Sequence, residues 1–220
     1  MSDHPPPGRA APPDPVAAGT RLAAPPYVPE VRLRLADEVF GLWGRTGELP
    51  YWAFAWPGGL ALARHVLDHP AVVAGRRVLD LAAGSGLVGI AAARAGAASV
   101  LAVDVDPLAG AAIAANAAAN GVAVSVLLAD LLDAPAAGPA EAEAAEVVLA
   151  GDVFYERPLA GRVLGYLEHA RRRGAEVLVG DPGRAYLPRD RFVRVAAHRV
   201  PGCGLLEAAD TVPVTVWRLP

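Results

Sequence analysis

The stretch VLDLAAGSGLVG, residues 78–89, decides how the chain is read. Val78, Leu79 and Leu81 form an apolar run of strand length within RRVLDLA, and LVGIAAARAG (87–96) has helical spacing and closes on Gly96. Between them Gly84, Gly86 and Gly89 stand in the spacing G-x-G-x-x-G. Asp104 ends the next apolar run, SVLAVD, twenty residues after Gly84. Strand, glycine turn, helix and an acid at the end of the second strand make the nucleotide-binding fingerprint of a parallel α/β sheet. The glycines allow a tight turn and close backbone approach, and the carboxylate takes ribose hydroxyls. The glycine spacing alone is a weak sign, since a structural turn can use it. The flanking elements and Asp104 favour the nucleotide.

The pattern continues on both sides. PLAGAAIAANAAANG (107–121) predicts a helix with Pro107 in its first turn and Gly121 beyond its end. VAVSVLLAD (122–130), EVVLAGD (146–152) and EVLVGD (176–181) predict strands, and RPLAGRVLGYLEHARRRG (157–174) the helix between the last two. Residues 134–146 read as a loop with a helical turn. Upstream, Val31, Leu33 and Leu35 alternate as in a short strand, and LALARHVLDHP (60–70) reads as a helix stopped by Pro70. RFVRVAAHRV (191–200) and DTVPVTVWRLP (210–220) are strand-like with no helix between them. The expected fold is therefore α/β: a seven-stranded, mostly parallel, Rossmann-like sheet with helices on both faces and an antiparallel C-terminal hairpin.

Composition narrows the function classes. The 220 residues are 54% hydrophobic and 20% charged, enough for one buried core. Net charge is -3 and every one of the 20 basic residues is Arg, which argues against a nucleic-acid-binding domain. No apolar run approaches the roughly 18 residues of a membrane span. The single cysteine, Cys203, fits a reducing, cytoplasmic setting. Residues 1–30 are dense in Pro and Ala and read as a disordered tail. Residues 31–70 are expected to form an N-terminal segment over the active site, and 71–220 the core. His65 and His69 have i, i+4 spacing without a third ligand, so no metal is expected.

The chemistry of the cofactor follows from a second carboxylate. Asp80 ends the first strand beside the glycine turn, where it would repel a pyrophosphate but favour a cationic sulfonium and ammonium. A nicotinamide-dependent oxidoreductase is the rival that Asp80 and the terminal hairpin disfavour. Capping of the next helix is the plainer reading of Asp80. Asp130 after the third strand could receive an adenine amino group or simply terminate that strand.

VLDLAAGSG, LAVDVDP, LLADLL and GDVFY together resemble the class I methyltransferases that use S-adenosylmethionine, over about residues 50–220. DVFY (152–155) is similar to the D-x-x-Y/F motif of the protein lysine methyltransferases grouped as family 16. PYWAFAWPGG (50–59), VGDPGR (179–184) and TVWRLP (215–220) resemble the branch that methylates the electron-transfer flavoprotein beta subunit. The resemblance implies an S-adenosylmethionine-dependent N-methyltransferase with a protein substrate, that beta subunit, acting as a monomer without nucleic acid or membrane. It implies that Asp80, Gly84 and Gly86 hold the methionine part of the cofactor, Asp104 the ribose, Asp130 and Leu131 the adenine, and that Trp56 touches it from the N-terminal side. A methyltransferase for a small amine or another macromolecule shares the fold and remains the alternative.

At the mouth, Asp152 and Tyr155 are the implied catalytic pair, with Trp52, Phe54 and Phe154 walling a lysine channel, joined by Trp43. A lysine of ordinary pKa, about 10.4, is mostly protonated at neutral pH. An apolar wall disfavours the ammonium, while a carboxylate favours it, so Asp152 should position the amine more than act as a base. Helix capping is the competing role for Asp152, and core packing for the tryptophans. The turn at 180–184 leaves a strand on the ligand side, where Arg184 could touch the partner.

Overall fold

The computed structural model describes residues 16–36, 42–44, 47, 49–133, 138–202 and 210–220. The strands are β1 (Thr20–Ala23), β2 (Leu33–Ala36), β3 (Arg77–Leu81), β4 (Ser99–Asp104), β5 (Ser125–Leu128), β6 (Val147–Gly151), β7 (Glu176–Asp181), β8 (Val193–Pro201) and β9 (Thr211–Leu219). The helices are α1 (Pro57–Asp68), α2 (Leu87–Arg94), α3 (Pro107–Ala119), α4 (Ala140–Glu143) and α5 (Arg157–Arg172). Strands β3 to β9 form one sheet in the order β5-β4-β3-β6-β7-β9-β8. Strands β3 to β7 are parallel, and β9 runs antiparallel to both β7 and β8. The mostly parallel sheet and antiparallel terminal hairpin are those expected from the sequence.

Alternation along each strand divides the core. Val147 and Leu149 of β6 pack with residues of α1 and α2 on one face, while Val148 and Ala150 join α5 on the other. Strand order reverses at β3, which has β4 on one side and β6 on the other. Open α/β sheets bind ligands beyond the carboxyl ends of the strands at such a point. Among the described residues no helix is long and apolar enough to cross a membrane.

The reading of residues 1–30 as a disordered tail is corrected over 16–30; residues 1–15 and Cys203 lie outside the described residues. Thr20–Ala23 pairs with Leu33–Ala36 as an antiparallel hairpin. Val28 and Val31 are fully buried against the α1 and α2 side of the core. Asn116 of α3 and Asn120, the C-cap of that helix, hold this segment down. Asn116 Oδ1 accepts the Arg34 N–H at 2.8 Å while its Nδ2 donates to Ser85 O at 2.8 Å, and Asn120 Oδ1 accepts the Arg32 N–H at 2.9 Å. The prolines hid a segment whose anchors lie about ninety residues away in sequence.

Candidate active site

The glycine turn and its acids build one wall. Gly86, in the left-handed region at φ 76°, is the N-cap of α2. Gly89 follows in the first turn of α2, where its N–H donates to Asp80 Oδ2 at 2.7 Å. A Cβ at Gly89 would lie 3.1 Å from that oxygen and 3.2 Å from Val100 Cγ1, so glycine lets the helix sit this close to β3 and β4. Asp104, at the end of β4, accepts the Gly84 N–H at 2.8 Å and the Asp106 N–H at 3.0 Å. Burial pushes the Asp80 carboxyl up to about 8, and the nearby Asp104 charge adds to the rise.

A second set of glycines builds the opposite wall. Helix α1 starts at Pro57, and its next residues, Gly58 and Gly59, press on the ends of β6 and β7. A Cβ at Gly58 would stand 2.2 Å from Gly180 O and 2.5 Å from Asp152 Oδ2. This approach brings the Gly59 N–H within 3.0 Å of Asp152 Oδ2, so Asp152 caps α1 from another element. Asp152 itself has φ 58°, a left-handed backbone that non-glycine residues rarely adopt, and Ala82 of the glycine turn has φ 54°. Its other oxygen, Oδ1, accepts from Arg184 Nη2 at 2.8 Å. Burial pushes the Asp152 carboxyl up to about 6, with the Arg184 charge pulling the other way.

Between the walls lies a cavity of about 640 Å³. Asp80, Gly84, Asp104, Asp130, Leu131, Asp152, Tyr155 and Arg184 line it together with Tyr51, Trp52, Phe54 and Trp56. Tyr51 stacks on Tyr155 with centroids 5.8 Å apart and 26° between planes, and packs on Trp56 at 5.7 Å. Trp56 Nε1 donates to Tyr51 O at 2.8 Å, fixing that ring. Trp52 is buried, and its Nε1 has no hydrogen-bond partner among the described residues.

The sequence that builds this cavity is similar to those of known proteins. The electron transfer flavoprotein beta subunit lysine methyltransferase of Xenopus laevis is 41% identical over 172 residues, 76% of this chain and 68% of that one. The human protein of the same name is 37% identical over 204 residues, 86% of this chain and 74% of its own. The chain belongs to the electron transfer flavoprotein beta subunit lysine methyltransferase family. The family model for ribosomal protein L11 methyltransferase (PrmA) also matches residues 62–151, from α1 through β6. The SMU.776 crystal structure, complexed with SAH, shares the fold with a TM-score of 0.58 at 13% identity, over 92% of this chain and 56% of its own.

For this family member, most residues expected at the site line the cavity. Phe154 does not. It is fully buried on the α5 face and meets Phe192 edge-on at 6.0 Å, because the chain turns at Asp152 and sends 154 into the core while 155 faces the cavity. Gly86 is also not among the lining residues; it shapes the turn from behind, where a Cβ would come within 3.2 Å of Ile113. Trp43 is 43% exposed and stands outside the lining. Asp130 lines the cavity with both oxygens engaged, by Arg162 Nη2 at 2.7 Å and the Leu132 N–H at 2.9 Å. The Arg162 hydrogen bond holds its carboxyl below the usual carboxylate range.

One participant, Tyr51, escaped the sequence reading, and the pairing made by a second, Arg184, was not foreseen. Tyr51 sits beside the aromatics assigned from PYWAFAWPGG, and its place next to Tyr155 comes from the fold alone. Arg184, which the sequence places where it could touch the partner, also engages Asp152. The Asp at 181 gives the local reason: its Oδ1 accepts the Gly183 and Arg184 N–H groups at 2.6 and 2.7 Å, turning Arg184 inward.

Proposed function

We propose that the protein transfers methyl groups from S-adenosylmethionine to the ε-amino group of lysine in a protein, and that this protein is the electron transfer flavoprotein beta subunit. The observation that carries the reading is the joining, in one cavity, of the buried Asp80, suited to a cationic cofactor, with a second buried carboxylate, Asp152, set beside aromatics suited to an amine. The names of the family members, which act on that beta subunit, support the choice of substrate.

The residues present fit the cofactor. The cavity volume lies in the usual range for small-molecule sites, about 300–1,000 Å³. Asp80 is buried with its carboxyl raised by desolvation, a cost that an ammonium or sulfonium relieves and a pyrophosphate increases. The Trp52 indole N–H offers a buried donor to a ligand. S-adenosylmethionine supplies a methyl carbon on a cationic sulfur that leaves as a neutral thioether when nitrogen attacks. In this reading Asp80 and the Gly84 turn hold the methionine part, Asp104 the ribose, and Asp130 and Leu131 the adenine. Gly86 sets the turn without contact, and Trp56 closes the cofactor's N-terminal side.

The protein's own work is then alignment and exclusion of water. Asp152 orients the amine, Tyr155 and Tyr51 flank its path, and Trp52 and Phe54 line the apolar floor. The methylated nitrogen loses its proton toward the open, tyrosine-lined mouth. The single cysteine fits a cytoplasmic setting, and the negative net charge disfavours nucleic acid as a partner.

An Asp152→Ala variant tests the assignment. It is expected to bind S-adenosylhomocysteine like the parent protein in calorimetry and to lose transfer to the beta subunit. Loss of cofactor binding with transfer would remove Asp152 from the amine side of the site.

A further inference from the structure

A lysine attacks only as the free amine, and a bare carboxylate where that amine arrives would hold it as the ammonium. Asp152 is not bare. Arg184 Nη2 donates to its Oδ1 at 2.8 Å, and the Gly59 N–H at the positive end of α1 donates to its Oδ2 at 3.0 Å. The pair is sheltered, with the Arg184 side chain 24% and that of Asp152 8% exposed. Arg184 Cζ lies 5.9 Å from the centre of the Trp56 ring, and the backbone of Arg184 is fastened to Asp181 Oδ1. Two positive donors therefore already answer the carboxylate before any substrate enters.

We infer that Arg184 is a positioning residue for methyl transfer: it holds Asp152 within an ion pair, so the target lysine meets no uncompensated negative charge and sits in the cavity as the free amine. This rests on the lysine methyltransferase reading. It resolves the opposition between an apolar wall, which favours the amine, and a carboxylate, which favours its protonated form. Without the guanidinium, the buried carboxylate retains one backbone N–H, and the substrate ammonium becomes its best counter-charge. The site then carries one extra proton, which must leave before the nitrogen can attack.

Among the described residues, the other charged or titratable groups near the pair are not altered by a substitution at 184. They are Asp181 on the same turn, Arg189 in the short helical turn at 189–191, Tyr155 and Glu156 at the start of α5, Tyr51 on the rim, and Asp80, Asp104, Asp106, Asp130 and Arg162 around the rest of the cavity. His65 on α1 faces His69 and His198 instead. A change of pH profile in a variant at 184 therefore reports Arg184.

The test compares kcat and KM for the beta subunit from about pH 6.5 to about pH 10 in the wild-type protein, Arg184→Gln and Arg184→Lys. The Gln variant is expected to rise to full activity about one pH unit or more later. It loses about tenfold or more near neutral pH and recovers most of this at the alkaline end. The Lys variant keeps the charge and is expected to keep the wild-type profile. Binding of S-adenosylhomocysteine and thermal melting identify any variant that misfolds, and an Arg184→Met variant replaces Gln if that one does. A Gln profile unshifted and lowered equally at every pH overturns the inference. So does an unshifted profile with a lower KM, which would make Arg184 a competitor for the lysine's place. A wild-type protein inactive on lysine at every pH would instead defeat the methyltransferase reading itself.

Discussion

Asp80 Oδ2 accepts the Gly89 N–H at 2.7 Å, so the acid that ends β3 is fastened to the first turn of α2. The bond explains two of the sequence's features at once. The third glycine of the turn is there because a side chain would collide with that carboxylate and with Val100. The carboxylate is then held in an apolar setting that burial makes costly for its charge, which pushes its pKa up to about 8.

A consequence for pH follows. Between the ordinary value of 3.8 and about 8 the folded protein holds a proton on Asp80 that the unfolded chain has lost. Stability from this group is full below about pH 4 and falls as pH rises through about 8. Asp80→Asn should therefore make the ligand-free protein more stable near pH 8.5, on the order of 2 kcal/mol in urea denaturation, and change little near pH 4. The same variant should flatten the rise of S-adenosylmethionine affinity with pH, since a cation binds the ionised carboxylate best. An affinity as pH-dependent as that of the wild type would clear Asp80 of contact with the cofactor's charge.

The glycine contact under Asp152 predicts a local stability cost. Gly58→Ala places a Cβ against the Gly180 carbonyl and the Asp152 carboxylate, and α1 must shift. The expected loss is about 1–3 kcal/mol, with a fall in transferase activity because the Gly59 N–H moves off Asp152. Gly161→Ala on α5 is the control: nothing lies within 4 Å of its Cβ, so a gain of roughly 0.5–1 kcal/mol is expected. Equal effects at the two positions would argue that the contact constrains nothing.

Asn116 ties the N-terminal hairpin to the glycine turn through Arg34 N–H and Ser85 O. Removing its amide in Asn116→Ala leaves both groups without that partner, and about 1–3 kcal/mol of stability should be lost. Hydrogen exchange should show faster opening of residues 20–36 in the variant. Unchanged protection there would mean that the buried valines alone hold the segment.

In the proposed function Tyr155 acts through its ring, which stacks on Tyr51. Burial pushes its hydroxyl above the usual tyrosine pKa, which favours the neutral phenol. Tyr155→Phe should retain most activity, whereas Tyr155→Ala, which loses the stack on Tyr51, should cost roughly tenfold in kcat/KM. A Phe variant as poor as the Ala variant would assign the chemistry to the hydroxyl.

The parts of the site legible in the sequence were those fixed by local rules. Asp80, Gly84 and Asp104 follow from a strand, a tight turn and a strand end, each a matter of neighbouring residues. Phe154 was misplaced because DVFY reads as one cluster, whereas the left-handed backbone at Asp152 separates the faces of 154 and 155. The inward turn of Arg184 depends on Asp181, and the helix approach at Gly58 on Gly180 more than a hundred residues away. The hairpin at 20–36 was hidden for the same reason: its asparagine anchors belong to α3 and its C-cap. Local chemistry was readable, and contacts between distant segments were not.

The most direct measurement incubates the purified protein and its Asp152→Ala variant with methyl-labelled S-adenosylmethionine and the electron transfer flavoprotein beta subunit of the same organism. The chain contains no lysine, so label on a lysine cannot come from the enzyme itself. The account predicts label on lysine of the beta subunit, located by mass spectrometry and absent with the variant. A beta subunit without label, beside an enzyme that binds the cofactor and methylates a small amine, would contradict it.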